Sequence, residues 1–259
     1  MVMKKCILDL TVSSAEKLHE RYVLLRLSHH DKLPEMCPGQ FVEVLIDNSP
    51  TTFLRRPISI CNVDREKNEL WLLVAMIGDG TRRLGRLQKG DRLNCVLPLG
   101  HGFGAPSCKS RFLLVGGGVG VAPLLFLGAE LWSRGCDVTF LLGARTEGDL
   151  LLLSEFGHYG RVLLTTEDGS AGERGFVTNH SVLAEEHFDQ ICSCGPTPMM
   201  KAVAHYARGH QTDCEVSLEN MMACGLGACL CCVEKTTEGN VCVCKDGPVF
   251  NINQLLWLS

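Results

Sequence analysis

The sequence has no surplus of basic residues. Lysine and arginine together number 25 against 29 aspartates and glutamates, which gives a formal net charge of −4 at pH 7. A protein whose main partner is nucleic acid needs a positively charged face, so this balance disfavours that class. Charged residues make up 21% of the chain and hydrophobic residues 46%, a composition typical of packed globular proteins.

A secretion signal is also missing. The opening stretch, MVMKKCILDL, is too short an apolar run, and Asp9 interrupts it. The 15 cysteines are an odd number at mostly irregular spacings, unlike the paired framework of a small secreted disulfide protein. We therefore expect a cytoplasmic protein whose thiols are reduced or bound to metal.

An uninterrupted membrane span is the third feature that the sequence lacks. Residues 112–129, FLLVGGGVGVAPLLFLGA, are uncharged and long enough to cross a bilayer. However, several glycines and Pro123 break this run. A buried strand, a glycine turn and the start of a helix explain the segment better, so we predict no membrane association.

The residues that are present fall into two patterns. In the N-terminal part, short runs of β-forming residues are separated by turn residues, which predicts a small antiparallel barrel. Further on, apolar strands alternate with helical patterns, including one at 148–160, which predicts a doubly wound parallel sheet. We expect a β plus α/β protein in three parts: a barrel at 1–104, the parallel sheet at 105–212 and a small cysteine-rich subdomain at 213–259.

The densest cysteine pattern lies in ENMMACGLGACLCC, residues 219–232. Cys224, Cys229 and Cys232 have the spacing C-x4-C-x2-C, which is typical of plant-type [2Fe–2S] sites whose fourth thiolate comes later in the chain. Cys242 and Cys244 are the candidates for that fourth ligand, and on a strand they would face the same side. Structural zinc is the alternative, although zinc usually takes paired short knuckles.

Two glycine-containing turns predict a dinucleotide site. In VGGGVGVAP, residues 115–123, a predicted strand runs through glycines into a helix. This arrangement allows backbone N–H groups and the helix N-terminus to face a pyrophosphate. In CSCGPTPMM a second strand ends in small residues, where ligands bind in parallel sheets. The alternative for both is a tight turn without a ligand. The candidate residues are Gly117, Gly118, Gly120, Pro123, Cys194, Gly195 and Pro196.

Two motifs in the barrel part contain candidate anion contacts. LRRPISI, residues 54–60, places two arginines before a proline and a serine, although a solvated arginine pair is the simpler interpretation. GDGTRRLGRLQKGD, residues 78–91, predicts a glycine turn and a short basic helix capped by Thr81. The start of that helix, at Gly80 and Thr81, is a candidate phosphate contact.

These patterns, in this order, resemble the ferredoxin reductase superfamily, in which a flavin-binding barrel precedes a nicotinamide-nucleotide domain. Within it, the chain is most similar to the electron-transfer subunits of NAD-dependent dihydroorotate dehydrogenase B, and the resemblance runs through nearly the whole sequence. The motifs that carry it are RRPISI, GDGT, VGGGVGVAPL, EDGSAGERGFVT, CGPTPMMKAV, ENMMACGLGACLCC and VCKDGPVF. The last two are the most specific, because most relatives lack such a C-terminal cluster.

The resemblance implies roles for individual residues. An arginine is expected near the FAD pyrophosphate, a serine near the isoalloxazine, and a strand backbone beside the flavin. Relatives often carry Tyr-Arg on that strand, where this chain has Val74-Ala75, so only backbone contacts are implied there. The implied FAD-binding residues are Arg56, Pro57, Ile58, Ser59, Leu73, Val74, Ala75, Gly80 and Thr81. The implied cluster ligands are Cys224, Cys229, Cys232 and Cys244, with Cys231 and Cys242 as extra thiols.

The resemblance also implies the function. Electrons from an FMN-containing dihydroorotate dehydrogenase catalytic subunit would pass through the [2Fe–2S] cluster and FAD to NAD+, as a step of pyrimidine biosynthesis. No residue resembles a dihydroorotate-oxidising base, and a catalytic barrel needs about 250 residues of its own, so we expect a partner chain in a heterotetramer of two plus two chains. The alternatives are a flavin subunit of a hydrogenase or of a ferredoxin-NADP transhydrogenase, and a zinc-stabilised nucleotide-binding regulator.

The choice between NAD and NADP depends on charge. NADP-using relatives place a Ser-Arg pair after the strand that here reads RVLLTT, whereas this chain has Glu167 and Asp168. Two carboxylates repel a 2′-phosphate but accept hydrogen bonds from a free 2′-hydroxyl. Arg145 is the counter-argument, since it lies near the end of another predicted strand. We predict NAD as the co-substrate.

Overall fold

The computed structural model describes residues 4–47, 49–104 and 110–258. The chain forms two compact units: the first takes the chain up to Gly102 with Asn220–Glu234 and Val241–Pro248, and the second takes Phe103–Glu219, Lys235–Asn240 and the chain from Val249 onward. The C-terminal segment is therefore divided between the units. The boundaries of the predicted three parts stay a prediction, and the first of them, at 104/105, borders residues 105–109, which lie outside the described residues.

The first unit contains a closed six-stranded barrel. Its strands are antiparallel and follow the order β1-β2-β5-β4-β3-β6. Leucines such as Leu24, Leu72 and Leu97 are fully buried. The predicted antiparallel barrel is confirmed. Its elements are β1 (Cys6–His19), β2 (Tyr22–Ser28), β3 (Phe41–Val44), β4 (Arg56–Asp64), β5 (Glu69–Ala75), the helix α1 (Asp79–Leu84) and β6 (Arg92–Leu99).

The second unit is built on a seven-stranded sheet. Six strands are parallel, and β15 closes one edge by antiparallel pairing with β12. The predicted parallel α/β fold is confirmed. Its strands are β7 (Arg111–Gly117), β8 (Asp137–Ala144), β9 (Arg161–Thr166), β10 (Glu173–Arg174), β11 (Gln190–Cys194), β12 (Asp213–Ser217) and β15 (Val249–Asn251), in the order β10-β9-β8-β7-β11-β12-β15. Its helices are α2 (Ala122–Ser133), α3 (Leu153–Gly157), α4 (Val182–Glu185) and α5 (Thr197–Gly209).

The uncharged run at 112–129 folds as the sequence predicts. It forms most of β7, a 3-10 turn at Gly118–Val121 and the start of α2. In the part of the chain that the structure describes, no helix combines the length and the apolar character that a bilayer crossing requires.

The cysteine-rich segment ends in a short hairpin and one helical turn. The hairpin strands are β13 (Val233–Thr236) and β14 (Gly239–Cys242), and the helix α6 covers Val243–Asp246. Cys242 is thus the last residue of a strand and Cys244 lies in a helix, so the expectation that both lie on one strand is wrong. The side chain of Asp246 accepts a hydrogen bond from the Cys242 N–H at 2.8 Å and ends the strand there.

Candidate functional site

The two predicted nucleotide turns lie side by side at one edge of the parallel sheet. β7 and β11 are hydrogen-bonded neighbours, with Gly116 opposite Cys194. β8 lies on the other side of β7. The strands that follow β7 in sequence therefore extend the sheet to one side, and β11 extends it to the opposite side. This is a topological switch point, and ligands of open α/β sheets bind outside the carboxyl ends of the strands at such a point.

Close backbone approach explains the glycines at this edge. A Cβ atom on Gly120 would lie 2.5 Å from the Cα of Gly195, and one on Gly117 would lie 2.8 Å from the sulfur of Met199. Gly195 has φ +152 and Gly118 has φ +57, both in the region that favours glycine. The turn after β7 therefore packs its bare backbone against the turn after β11, and residues with side chains would not fit between them.

The other residues at this edge have distinct environments. Pro196 is the N-cap of α5, and Pro123 occupies the first turn of α2. Cys194 is fully buried, and burial raises the pKa of its thiol far above the ordinary value. Cys194 is therefore an inert packing residue.

The loop after β9 has a fixed negative charge. Asp168 accepts hydrogen bonds from the backbone N–H of Ser170 at 3.0 Å and from its hydroxyl at 2.7 Å. These bonds lower the pKa of the Asp168 carboxyl. The backbone N–H of Asp168 also donates to the carbonyl of Arg145 at 3.3 Å. Arg145, which would attract a 2′-phosphate, and Asp168, which would repel it, therefore lie on adjacent loops.

In the barrel, the structure brings together two of the predicted anion contacts. A Cβ atom on Gly80, at the start of α1, would lie 3.3 Å from the Nε of Arg56. The guanidinium of Arg56 hydrogen-bonds only the carbonyl of its neighbour Arg55, at 3.2 Å, among the bonds that the structure resolves. A permanently charged planar fork beside a helix start suits a diphosphate.

The guanidinium of Arg55, by contrast, is occupied by hydrogen bonds within the barrel. It donates to the carbonyls of Glu43 and Asn94, both at 3.2 Å, and to the Asn94 side chain at 2.6 Å. These bonds join β3, β4 and β6 across the barrel wall. Of the two adjacent arginines, Arg56 is therefore the one that has donors available for a ligand.

The remaining predicted flavin contacts lie on strands or in a cap. Pro57, Ile58 and Ser59 pair with β3 and are half-buried. Leu73 and Val74 have buried side chains, which agrees with contacts through their backbone alone; Ala75 ends β5. The Thr81 hydroxyl accepts a hydrogen bond from the Gly78 N–H at 3.0 Å and caps α1.

The cysteine loop is shaped by residues with positive φ. Gly225, Gly227 and Leu230 have φ values of +66, +82 and +58. A Cβ atom on Gly225 would lie 2.6 Å from the Cγ of Glu43, and one on Gly227 would lie 2.8 Å from the Cδ of Lys245. The loop therefore folds tightly against its surroundings, and its amides turn inward toward the thiols.

Several of these amides donate to sulfur. The Leu226 N–H donates to the Sγ of Cys224 at 3.3 Å, the Gly227 N–H to that of Cys244 at 3.1 Å, and the Cys244 N–H to that of Cys232 at 3.3 Å. Hydrogen bonds to sulfur stabilise thiolates, which are the form that binds metal.

The four predicted ligands form two pairs. Cys229 influences the pKa of Cys224, and Cys232 influences that of Cys244, so the thiols of each pair lie within range of each other. Burial opposes ionisation of Cys224, but hydrogen bonds from Leu226 and Cys229 outweigh it, and its pKa falls to about 6. Burial, together with Cys232, raises the pKa of Cys244 to about 12.

The pairing separates a two-iron site from a zinc site. A tetrahedral zinc with bonds of about 2.3 Å needs all four sulfurs about 3.8 Å from one another. Among the described residues, only His29, His30 and Asp31 bring three ligand atoms within 4.8 Å of one another, so no three of the four sulfurs do. Two thiol pairs fit two iron atoms with two thiolates each, and the donor set suits a [2Fe–2S] group.

Two extra thiols lie near these pairs without joining them. Cys231 is exposed, and Cys242 has its sulfur 3.9 Å from the carbonyl oxygen of Gly227. The structure also reveals a residue that the sequence analysis missed, namely Glu43, which is buried under the cysteine loop. A single charged residue within the apolar run QFVEVLI was the available signal.

Comparison with protein families agrees with this organisation. Residues 219–256 match the iron-sulfur cluster binding domain of dihydroorotate dehydrogenase B, and residues 114–205 match the oxidoreductase NAD-binding domain. Among curated proteins, the chain is similar to the "Dihydroorotate dehydrogenase B (NAD(+)), electron transfer subunit" of Shouchella clausii (strain KSM-K16), with 41% identity over 85% of this chain and 86% of that protein. It is 37% identical to the protein of the same name from Geobacillus thermodenitrificans (strain NG80-2), over 95% of this chain and 97% of that one.

Solved structures share the fold. A chain described under "Insights into flavin-based electron bifurcation via the NADH-dependent reduced ferredoxin-NADP oxidoreductase structure" aligns with a TM-score of 0.85 and 30% identity, over 96% of this chain and 90% of that one. The "Ferredoxin reductase in carbazole 1,9a-dioxygenase" aligns with a TM-score of 0.68 and 18% identity, over 82% of this chain and 68% of that one; this likeness concerns the fold alone. The iron–sulfur and NAD predictions are confirmed by the family models, and the flavin prediction agrees with the reductase-type fold.

Proposed function

We propose, since this chain belongs to the family of electron-transfer subunits of NAD-dependent dihydroorotate dehydrogenase B, that it receives electrons from an FMN-containing catalytic subunit. It passes them by way of a [2Fe–2S] cluster and FAD to NAD+, during pyrimidine synthesis in the cytoplasm. The cluster supplies one-electron transfer, and FAD supplies the exchange between one-electron and two-electron chemistry. This chain works in a heterotetramer of two plus two chains.

The observation that carries the proposal is the paired arrangement of thiols. Cys224 with Cys229 and Cys232 with Cys244 would each bind one iron atom, and loop amides donate to three of these sulfurs. Such hydrogen bonds fix the ligands and help to set the cluster's potential. Cys231 and Cys242 have no ligand role in this assignment.

The barrel would hold FAD through a small number of contacts. Arg56 would bind the pyrophosphate together with the backbone at Gly80 and Thr81, because its guanidinium lies at the start of α1. Pro57, Ile58 and Ser59 would contact the flavin from one strand, with Ser59 near the isoalloxazine. Leu73, Val74 and Ala75 contribute backbone groups on another strand. These residues bind and orient the flavin, and Arg55 keeps the barrel wall in place for them.

The parallel sheet would hold the nicotinamide nucleotide at its switch point. Gly117, Gly118, Gly120 and Pro123, in the turn after β7, would bind the pyrophosphate together with Cys194, Gly195 and Pro196 in the neighbouring turn after β11. The hydrogen-bonded carboxylate of Asp168 favours a free 2′-hydroxyl over a 2′-phosphate. We therefore assign NAD, not NADP, as the electron acceptor.

Metal and flavin analysis of the full chain, co-expressed with its catalytic subunit, tests the proposal. We expect two iron atoms, two inorganic sulfides and one FAD per chain, with an absorption spectrum of flavin plus iron–sulfur. A colourless protein with one zinc per chain would refute the cluster assignment. Electron transfer is tested separately by NAD+ reduction with dihydroorotate, which should require both chains.

A further inference from the structure

Glu43 is an ionisable residue in an apolar position. It lies on β3, where the side chains of Phe41, Val42 and Val44 are buried, and it is itself only 1% exposed. Neither of its carboxyl oxygens has a hydrogen-bond partner among the described residues. Because burying an unpartnered carboxyl group costs free energy, a purely structural position would favour an apolar residue here.

The neighbours of Glu43 in the barrel do not satisfy its side chain. In the strand pairing, Glu43 lies opposite Pro57 on one side and Val96 on the other, and neither has a polar side chain. The nearby guanidinium of Arg55 donates to the backbone carbonyl of Glu43 and to Asn94. The carboxyl group is therefore left for a partner outside the barrel wall.

The cysteine loop lies directly against this carboxyl group. A Cβ atom on Gly225 would lie 2.6 Å from the Cγ and 3.0 Å from the Oε1 of Glu43. Gly225 follows the proposed ligand Cys224 and is in the left-handed region, with φ +66. An unpartnered, fully buried acidic group thus faces the loop that would enclose the cluster.

We propose that Glu43 is a positioning residue for the iron–sulfur cluster: its carboxylate supports the loop at Gly225 and lowers the cluster's reduction potential by placing negative charge beside it. This inference rests on the proposed function. A negative charge near the cluster makes the addition of an electron less favourable, and the effect is strong in a buried site because screening by water is weak.

The pKa of the Glu43 carboxyl group decides the pH of the test. Burial raises the pKa of Glu43 to about 7, Arg55 and Arg56 oppose this rise, and Cys224 adds to it. A measurement at pH 9 therefore favours the carboxylate form.

The test is an EPR-monitored redox titration of the cluster, at pH 9, in the full chain assembled with its catalytic subunit. Glu43→Gln keeps the shape and removes the charge. We expect at least a tenfold higher reduced-to-oxidised ratio of the cluster at a fixed potential, which corresponds to an upward shift of at least ~59 mV for one electron. Glu43→Asp should stay within that limit of the wild type. The control is Glu16→Gln, which removes an exposed carboxylate paired with Arg26 on the barrel surface and should leave the potential unchanged.

An unchanged or lower potential in Glu43→Gln would overturn the inference. If Glu43→Gln fails to assemble a cluster, Glu43→Met is titrated in its place. If both neutral variants fail while Glu43→Asp assembles, the charge itself is needed and the inference stands. If Glu43→Asp fails as well, the residue only fills space and the inference is wrong. A wild-type protein without a [2Fe–2S] EPR signal would instead refute the proposed function.

Discussion

Replacing Cys244 by serine should remove the cluster, whereas the same change at Cys242 should not. Cys244 is 1% exposed, its thiol is paired with that of Cys232, and it accepts the Gly227 N–H at 3.1 Å. A serine hydroxyl is a harder and poorer ligand for iron than a thiolate. The substitution therefore removes one of the four thiolate ligands.

The expected loss of cluster affinity follows from the contacts of the two cysteines. Loss of a group that only orients a metal ligand typically costs about 10–100-fold in affinity, so loss of a ligand itself should cost more than about 100-fold. Among the described residues, the thiol of Cys242 makes one long hydrogen bond, 3.9 Å from its sulfur to the carbonyl oxygen of Gly227. Its replacement should change the free energy of unfolding by no more than about 0.5 kcal/mol, as is usual for a substitution away from such features.

The assay is iron and sulfide content together with the cluster's visible absorption, measured on the purified complex. FAD content is the internal control, because Cys244→Ser should leave the barrel's flavin contacts intact. Cys231→Ala is the matched control for a neighbouring thiol, and its iron content should equal that of the wild type. A full complement of iron in Cys244→Ser combined with loss in Cys242→Ser would refute the ligand assignment.

Three further predictions concern the nucleotide sites. Arg56→Ala should weaken FAD binding by about 1.5–3 kcal/mol, the usual worth of a hydrogen bond to a charged group, whereas Arg55→Ala should lower Tm and retain FAD. Flavin titration and thermal unfolding distinguish the two variants. The reversed pattern would show that the motif register is wrong. Glu167→Ser combined with Asp168→Arg should move the preference toward NADPH in steady-state ferricyanide reduction; equal efficiency of NADPH in the wild type would sink the NAD assignment. Gly120→Ala should destabilise the protein by about 1–3 kcal/mol through overpacking, because its Cβ would lie 2.5 Å from the Cα of Gly195; unchanged Tm and NADH binding would contradict this.

The fold and the motif positions were predictable because local patterns determine them. The strand through Phe112 and Val115 is a continuous apolar run, which marks a buried parallel strand, and it forms β7. The helical pattern at 148–160 was less reliable. It yields only the short α3 after a 3-10 turn at Glu147–Asp149, because Leu152 has φ +57 at the helix N-cap and interrupts the helical backbone.

The thiol pairing was only partly accessible from sequence. The spacing of Cys224, Cys229 and Cys232 predicts a metal-binding loop, but the fourth ligand depended on resemblance. The structure adds what spacing cannot supply: Cys242 ends a strand and Cys244 lies within the helical turn Val243–Asp246. The two residues therefore belong to different elements, although both of their sulfurs lie against the backbone of Gly227.

Glu43 shows most clearly where local pattern is insufficient. A charged residue between valines in QFVEVLI is normally assigned to the solvent face of a half-exposed strand. It is instead buried, because Gly225, far along the chain, packs its backbone against the side chain. That contact exists only after the cysteine loop has folded onto the barrel unit, and no window of neighbouring residues contains it. Positions 43 and 225 therefore depend on each other. The loop needs glycine at position 225 because the Glu43 side chain occupies the adjacent space, and the Glu43 carboxyl group loses its access to water because the loop covers it.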